Sequence, residues 1–287
     1  MGSEAVAAVL GGDVWGASVG PAARWAGFQI PAQKINAWVC PTWDPARIED
    51  NDPVSLRQFR DHVEDAVGKP GRPWAEVPDW TARVGVELDS SKAAKWLREV
   101  VRRGGKGAVA WDYETNMLKP DGPDADIVSC AVTWGRQRPE RTMAFPWRGE
   151  AVQAMGELLR SPIPKIASNL KFEDRWTRKA FGHRVRGWAW DTMVAAHVLD
   201  NRQAITSVKF QAFVRLGVPV WNKGVEPFFA SRPGEAVNRI SEVDIGDLLL
   251  YNGLDAFLEW GVAAHQMTEM GYRPPWLPQG EFDEIVG

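Results

Sequence analysis

Hydrophobic and polar positions switch period along this chain, and the switches mark its elements. Residues 53–67 place Leu56, Phe59, Val63 and Val67 near helical spacing. Residues 69–80 carry Pro70, Gly71, Pro73 and Pro78 and read as a connector. Asp89-Ser90-Ser91 then offers helix N-caps, Ala93, Trp96-Leu97 and Val100-Val101 form an apolar stripe, and Gly104-Gly105 ends the helix. An apolar run follows at once and closes on Val109-Ala110-Trp111-Asp112-Tyr113-Glu114-Thr115, a buried strand ending in two carboxylates. Residues 127–134 alternate well enough for a second strand and residues 141–146 for a third, with a loop at 116–126 and a turn at 135–140. Consecutive strands with short connections predict an antiparallel meander.

Helices and strands then alternate. Residues 151–159, 171–181, 192–199 and 207–216 read as helices, 165–168 and 185–191 as strands, and 221–238 as an irregular loop. Residues 244–270 read as one long helix stopped by Gly271. The expected fold is α/β, a mixed sheet flanked by helices. Upstream, residues 1–34 show no clear period and read as partly flexible, and residues 35–40 as a short strand stopped by Pro41. The expected organisation is an N-terminal region at 1–84 without identifiable chemistry, a main domain at 85–272 and a C-terminal tail at 273–287.

Composition narrows the function classes. At 287 residues the chain fits one large domain, or one with an extension. A net charge of -3 excludes a broadly basic nucleic-acid coat and leaves room for a local basic groove. Cys40 and Cys130 form neither a disulfide framework nor a zinc pattern, so a reducing cytoplasm is expected, the host's if the protein is viral. The first residues lack a basic leader and no stretch reaches transmembrane length, so no membrane partner is expected. The sixteen tryptophans could stack on unpaired bases, but packing in cores is the commoner use.

Three short motifs carry candidate chemistry. Residues i and i+2 of a strand share a face, so Asp112 and Glu114 stand side by side. Like charges held that close cost free energy unless a cation lies between them; the alternative is a solvated strand end. Ser168-Asn169-Leu170-Lys171-Phe172-Glu173-Asp174 spans a strand-to-helix junction, where acids in the first turn are favoured in any case and Asn169 can cap or contact a ligand. Tyr251 and Asp255 lie one turn apart on the long helix, with Gly253 between them. A glycine there fits a close approach to the helix backbone.

Taken together these motifs resemble the DEDDy branch of the DnaQ-like 3′–5′ exonucleases, most closely the proofreading domains of family-A, bacteriophage-type DNA polymerases. The likeness runs from about residue 86 to 270, and includes Asp191-Thr192 and Ser207-Val208-Lys209. It implies a ribonuclease H-like fold and two divalent ions, Mg²⁺ or Mn²⁺, held by Asp112, Glu114, Glu173 and Asp255. By the same resemblance Tyr251 orients the attacking water. Thr115, Leu118, Asn169 and Phe172 match substrate positions, Leu118 as a wedge against the terminal base. The family usually has Asp where this chain has Glu173, and Glu reaches about 1.5 Å further, one C–C bond. Asp174 is therefore a rival ligand. Leu250 stands where the sister branch has His, which selects the Tyr branch.

The resemblance implies hydrolysis of single-stranded DNA or frayed 3′ ends to nucleoside 5′-monophosphates, by a chain whose polymerase would be a separate partner. A ribonuclease D-like exoribonuclease and a non-catalytic single-strand-binding subunit are the rival readings. Lys171, Arg175, Arg178 and Lys179 are candidates for a basic rim.

Overall fold

The computed structural model describes residues 3–45, 48 and 52–277. In chain order its elements are α1 (Ser3–Leu10), β1 (Ile30–Ala32), β2 (Ala37–Val39), α2 (Pro53–Val67), β3 (Val84–Val86), α3 (Ser90–Arg103), β4 (Ala108–Thr115), β5 (Ile127–Gly135) and β6 (Pro139–Pro146). There follow α4 (Gly149–Arg160), β7 (Lys165–Ala167), α5 (Leu170–Phe181), β8 (Trp188–Asp191), α6 (Thr192–Leu199), α7 (Val208–Leu216) and α8 (Ile245–Glu269).

The chain divides into two compact units. One comprises Met1–Pro78 with Asp200–Trp221, the other Asp79–Leu199 with Asn222–Gly287. The sequence-based boundary at 84/85 therefore differs from the observed grouping in two ways. Val84–Val86 forms an edge strand of the main sheet, and α7 belongs with the N-terminal residues. The reason is aromatic packing: Phe210 and Phe213 of α7 share a buried cluster with Val6 and Leu10 of α1, Trp15 and Trp25. Those contacts also give order to residues 3–34, which have no period of their own, and β1 pairs antiparallel with β2. Residues 278–287 of the expected tail lie outside the described residues. Its first part is packed, with Trp276 and Leu277 buried and Trp276 Nε1 donating to Arg136 O at 2.9 Å.

The second unit holds a six-stranded sheet in the order β3-β6-β5-β4-β7-β8. The meander β4-β5-β6 is antiparallel, joined by a loop at 116–126 and a turn at 136–138, while β7 and β8 extend the sheet parallel to β4 and β3 adds parallel to β6. This is the mixed sheet flanked by helices that the sequence pattern predicts. Its two faces differ in residue size. On one, Val109, Trp111 and Tyr113 of β4 pack with α3, α4 and Trp176 of α5. On the other, Ala108 and Ala110 lie against Trp260, Ala263 and Met267 of α8, and Ala131 and Ala144 against Leu249 and Ala256. Small residues on this face let α8 lie close across the sheet. Alternation along β4 then places Asp112 and Glu114 on the α8 side.

Candidate active site

The opening acids meet the late helix. One carboxylate oxygen from each of Asp112, Glu114 and Asp255 lies within 4.8 Å of the other two. β4 supplies the first two from one face. α8 supplies the third, its start fixed by Asp244, whose carboxylate accepts from Gly246 N at 2.8 Å and Asp247 N at 3.3 Å. Gly253 is the point of closest approach: a Cβ built on it would stand 2.2 Å from Val84 Cγ1 of β3. The close approach that this glycine suggests is therefore to the edge strand.

Asn252 locks helix to strand. Its Nδ2 donates to Asp112 Oδ2 at 2.8 Å and to Asp112 O at 3.2 Å, and its Oδ1 accepts from Ser129 Oγ at 3.0 Å. The Asp112 side chain is thus oriented by a wholly buried amide. Sequence reasoning missed Asn252, although it sits three residues before Asp255 and so on the same helical face.

The second motif sits where β7 passes into α5. Asn169 occupies the N-cap position in the left-handed region, φ 60°, which Asn tolerates better than most residues. Its side chain makes no capping bond. The junction is held by Asp191 instead, whose Oδ1 accepts from Asn169 N, Met193 N and Val194 N and whose Oδ2 accepts from Leu170 N, all at 3.0–3.1 Å. One carboxylate therefore caps both α5 and α6. In the sequence Asp191 stands out only through the family likeness, since its capping of two helices depends on how β8 sits beside β7.

Glu173 and Asp174 point to different surroundings. Asp174 is taken up internally: Oδ1 accepts from Val185 N at 3.1 Å and Oδ2 from Arg178 Nε at 2.9 Å. Glu173 is 3% exposed, and its Oε2 is buried without a hydrogen-bond partner among the described residues. Burial first, then the charges of Asp112 and Asp191, push its carboxyl well above the usual range. A buried acid with an unfilled oxygen beside another acid is a donor set suited to a hard divalent cation.

Tyr251 is buried and hydrogen-bonded to Asp255. Burial, then Asp255, Glu114 and Asp112 in that order, raise its phenol well above its ordinary value, and a hydrogen bond to Asp255 acts in the same direction. The hydroxyl keeps its proton at neutral pH. The Phe229 ring stands 5.9 Å from the Tyr251 ring.

The expected substrate residues are dispersed around the cluster. Thr115 Oγ1 donates to Met117 O at 2.8 Å, and Thr115 O accepts from Asn238 Nδ2 at 3.0 Å, which ties the loop after α7 to the end of β4. Leu118 is 80% exposed, an apolar side chain presented to solvent beside the acids' strand. Phe172 is half-buried against the core and tilts onto Trp176 at 6.2 Å. The basic rim is largely consumed by internal contacts. Arg175 pairs with Asp121, Arg178 with Asp174, and Lys179 Nζ donates to Pro120 O at 2.8 Å.

No family model matches this sequence. Over 175 residues the chain is 30% identical to DNA polymerase I of Chloroflexus aurantiacus, a stretch that makes up 58% of this chain and 17% of that relative's length. Among solved structures, the catalytic core of RRP6 from Trypanosoma brucei is similar at 15% identity and a TM-score of 0.47, covering 66% of this chain and 48% of that one. Escherichia coli RNase D is similar at 17% identity and a TM-score of 0.45, covering 70% and 48%. A six-stranded mixed sheet and three converging acids accompany this partial likeness to a DNA polymerase I.

Proposed function

We propose that this chain is a metal-dependent 3′–5′ exonuclease that hydrolyses single-stranded DNA ends to nucleoside 5′-monophosphates. The observation that carries the reading is the convergence of Asp112, Glu114 and Asp255 from two elements far apart in sequence. The likeness to a DNA polymerase I stretch favours DNA over RNA. Proofreading for a separate polymerase chain is consistent with that relative.

Asp112, Glu114 and Asp255 would hold one divalent ion, and Asp112 with Glu173 the other. Bound there, a pair of Mg²⁺ or Mn²⁺ ions would activate a water molecule for attack and neutralise charge on the scissile phosphate. Glu173 is favoured over Asp174 because both Asp174 oxygens are already engaged. Asn252 keeps Asp112 turned toward its fellow ligands. Tyr251, protonated, orients the attacking water by hydrogen bonding rather than acting as a base. Leu118 wedges against the terminal base, and Thr115, Asn169 and Phe172 border the bound strand.

A 5′-labelled single-stranded DNA oligonucleotide tests this. With Mg²⁺ or Mn²⁺ it shortens stepwise from the 3′ end, and EDTA stops the reaction. Asp255→Asn lowers the rate at least about 100-fold, the upper end of what losing even an outer-sphere partner costs a metal site. An oligodeoxynucleotide that stays intact with both metals contradicts the proposal. A matched oligoribonucleotide degraded faster would move the substrate to RNA.

A further inference from the structure

We infer that Glu259 is a fifth carboxylate of the metal centre, binding the second divalent cation together with Glu173. The inference rests on the two-cation reading above and adds a ligand that the three motifs do not contain.

Glu259 lies one turn beyond Asp255 on α8 and is 2% exposed. The preceding and following residues, Leu258 and Trp260, are core residues. A carboxylate in such a position is costly unless hydrogen-bonded or paired with a cation. Glu259 Oε1 is buried without a hydrogen-bond partner among the described residues, as is Glu173 Oε2.

The helix face fixes where this side chain is directed. Asn252, seven residues earlier and so nearly in line with it, touches Asp112. Gln266, seven residues later, donates to Thr192 O at 2.9 Å and accepts from Trp190 Nε1 at 3.0 Å, on either side of Asp191. Glu259 therefore faces the interval between Asp112 and Asp191, where the first turn of α5 presents Glu173. Burial, then the charges of Glu173, Asp112, Asp255 and Asp191 in that order, push the Glu259 carboxyl well above the usual range. Two unfilled glutamate oxygens in one buried acidic interval form a hard-donor site in their own right.

Direct ion counting tests the inference. The full chain and Glu259→Gln are titrated with Mn²⁺ in the presence of thymidine 5′-monophosphate, and free Mn²⁺ is read by electron paramagnetic resonance. The wild type binds two ions. Glu259→Gln keeps one at unchanged affinity and binds the other about tenfold or more weakly. Glu259→Asp, which keeps the charge and shortens the reach, weakens the same ion and carries the comparison if the glutamine variant does not fold. Two ions bound by the variants at wild-type affinity, or equal weakening of both, overturns the role of Glu259 and leaves the exonuclease reading intact. A wild type that binds no Mn²⁺ removes both.

Discussion

Asn252 and Tyr251 are neighbours on one helix and do different work. Asn252 makes no contact with a reacting group in this account and acts through Asp112. Replacing it with alanine frees Asp112 and leaves Ser129 Oγ without its acceptor. Asn252→Ala should lower kcat about 10- to 100-fold, the usual effect of losing the partner that orients a metal ligand, and should weaken Mn²⁺ binding alongside. Tyr251→Phe removes only the hydroxyl. It should lower kcat about 100-fold or more while leaving Mn²⁺ affinity and KM near wild type. Equal losses of ion binding in both variants would mean that Tyr251 supports the metal rather than the water. That Asp112 stands beside Glu114, and Tyr251 beside Asp255, was legible in the sequence because spacings of two and four translate into shared faces of a strand and a helix; that the two pairs meet was implied only by the family resemblance. Asn252 and Glu259 were not legible, since a polar residue within a long helix pattern does not reveal whether it faces solvent or a buried strand.

Among the elements, α8 and the sheet are fitted to one another at Gly253 and Val84. An alanine at 253 gains about 1 kcal/mol of helix propensity. Its Cβ would stand 2.2 Å from Val84 Cγ1, and overpacking of that kind costs about 1–3 kcal/mol. The clash should win. Gly253→Ala is expected to melt below wild type, and adding Val84→Ala should recover stability relative to Val84→Ala alone, as thermal unfolding would reveal. The glycine was readable as a point of close approach, but its partner was not. Val84-Gly85-Val86 is too short to carry a strand pattern and forms an edge strand only by pairing with β6. β7 contributes a pH signature. Lys165 is fully buried, with Nζ donating to Ser161 O at 2.6 Å and Ile163 O at 3.0 Å. Burial, then Arg186, lowers its pKa from 10.5 to about 7. Between those values the unfolded chain binds the proton and the folded chain does not, so this residue makes stability rise with pH from about 7 toward 10.5. The difference in melting temperature between pH 7 and pH 9 should be more positive in the wild type than in Lys165→Met. No difference between them would mean that Lys165 stays charged when folded.

At the scale of the molecule, the meander, the long helix and the mixed sheet followed from period and turn residues, because those are local signals. The grouping of α7 with the N-terminal residues did not, since it depends on aromatic side chains from distant segments meeting in one core. No described helix is long and apolar enough to cross a membrane. Asp112, Glu114 and Asp255 bring carboxylate oxygens within 4.8 Å of one another, and like charges held that close are costly without a cation, so ion binding and folding are linked. Saturating Mn²⁺ should raise the melting temperature over EDTA, and Asp255→Asn should shrink that rise.

The most direct test of the central claim is an anomalous-scattering map of crystals soaked in Mn²⁺. An Mn²⁺ peak is expected within ligand distance of Asp112, Glu114 and Asp255 together, and a second beside Glu173. A map without Mn²⁺ at that convergence, or with the Asp255 carboxylate turned away from both strand acids, would contradict it.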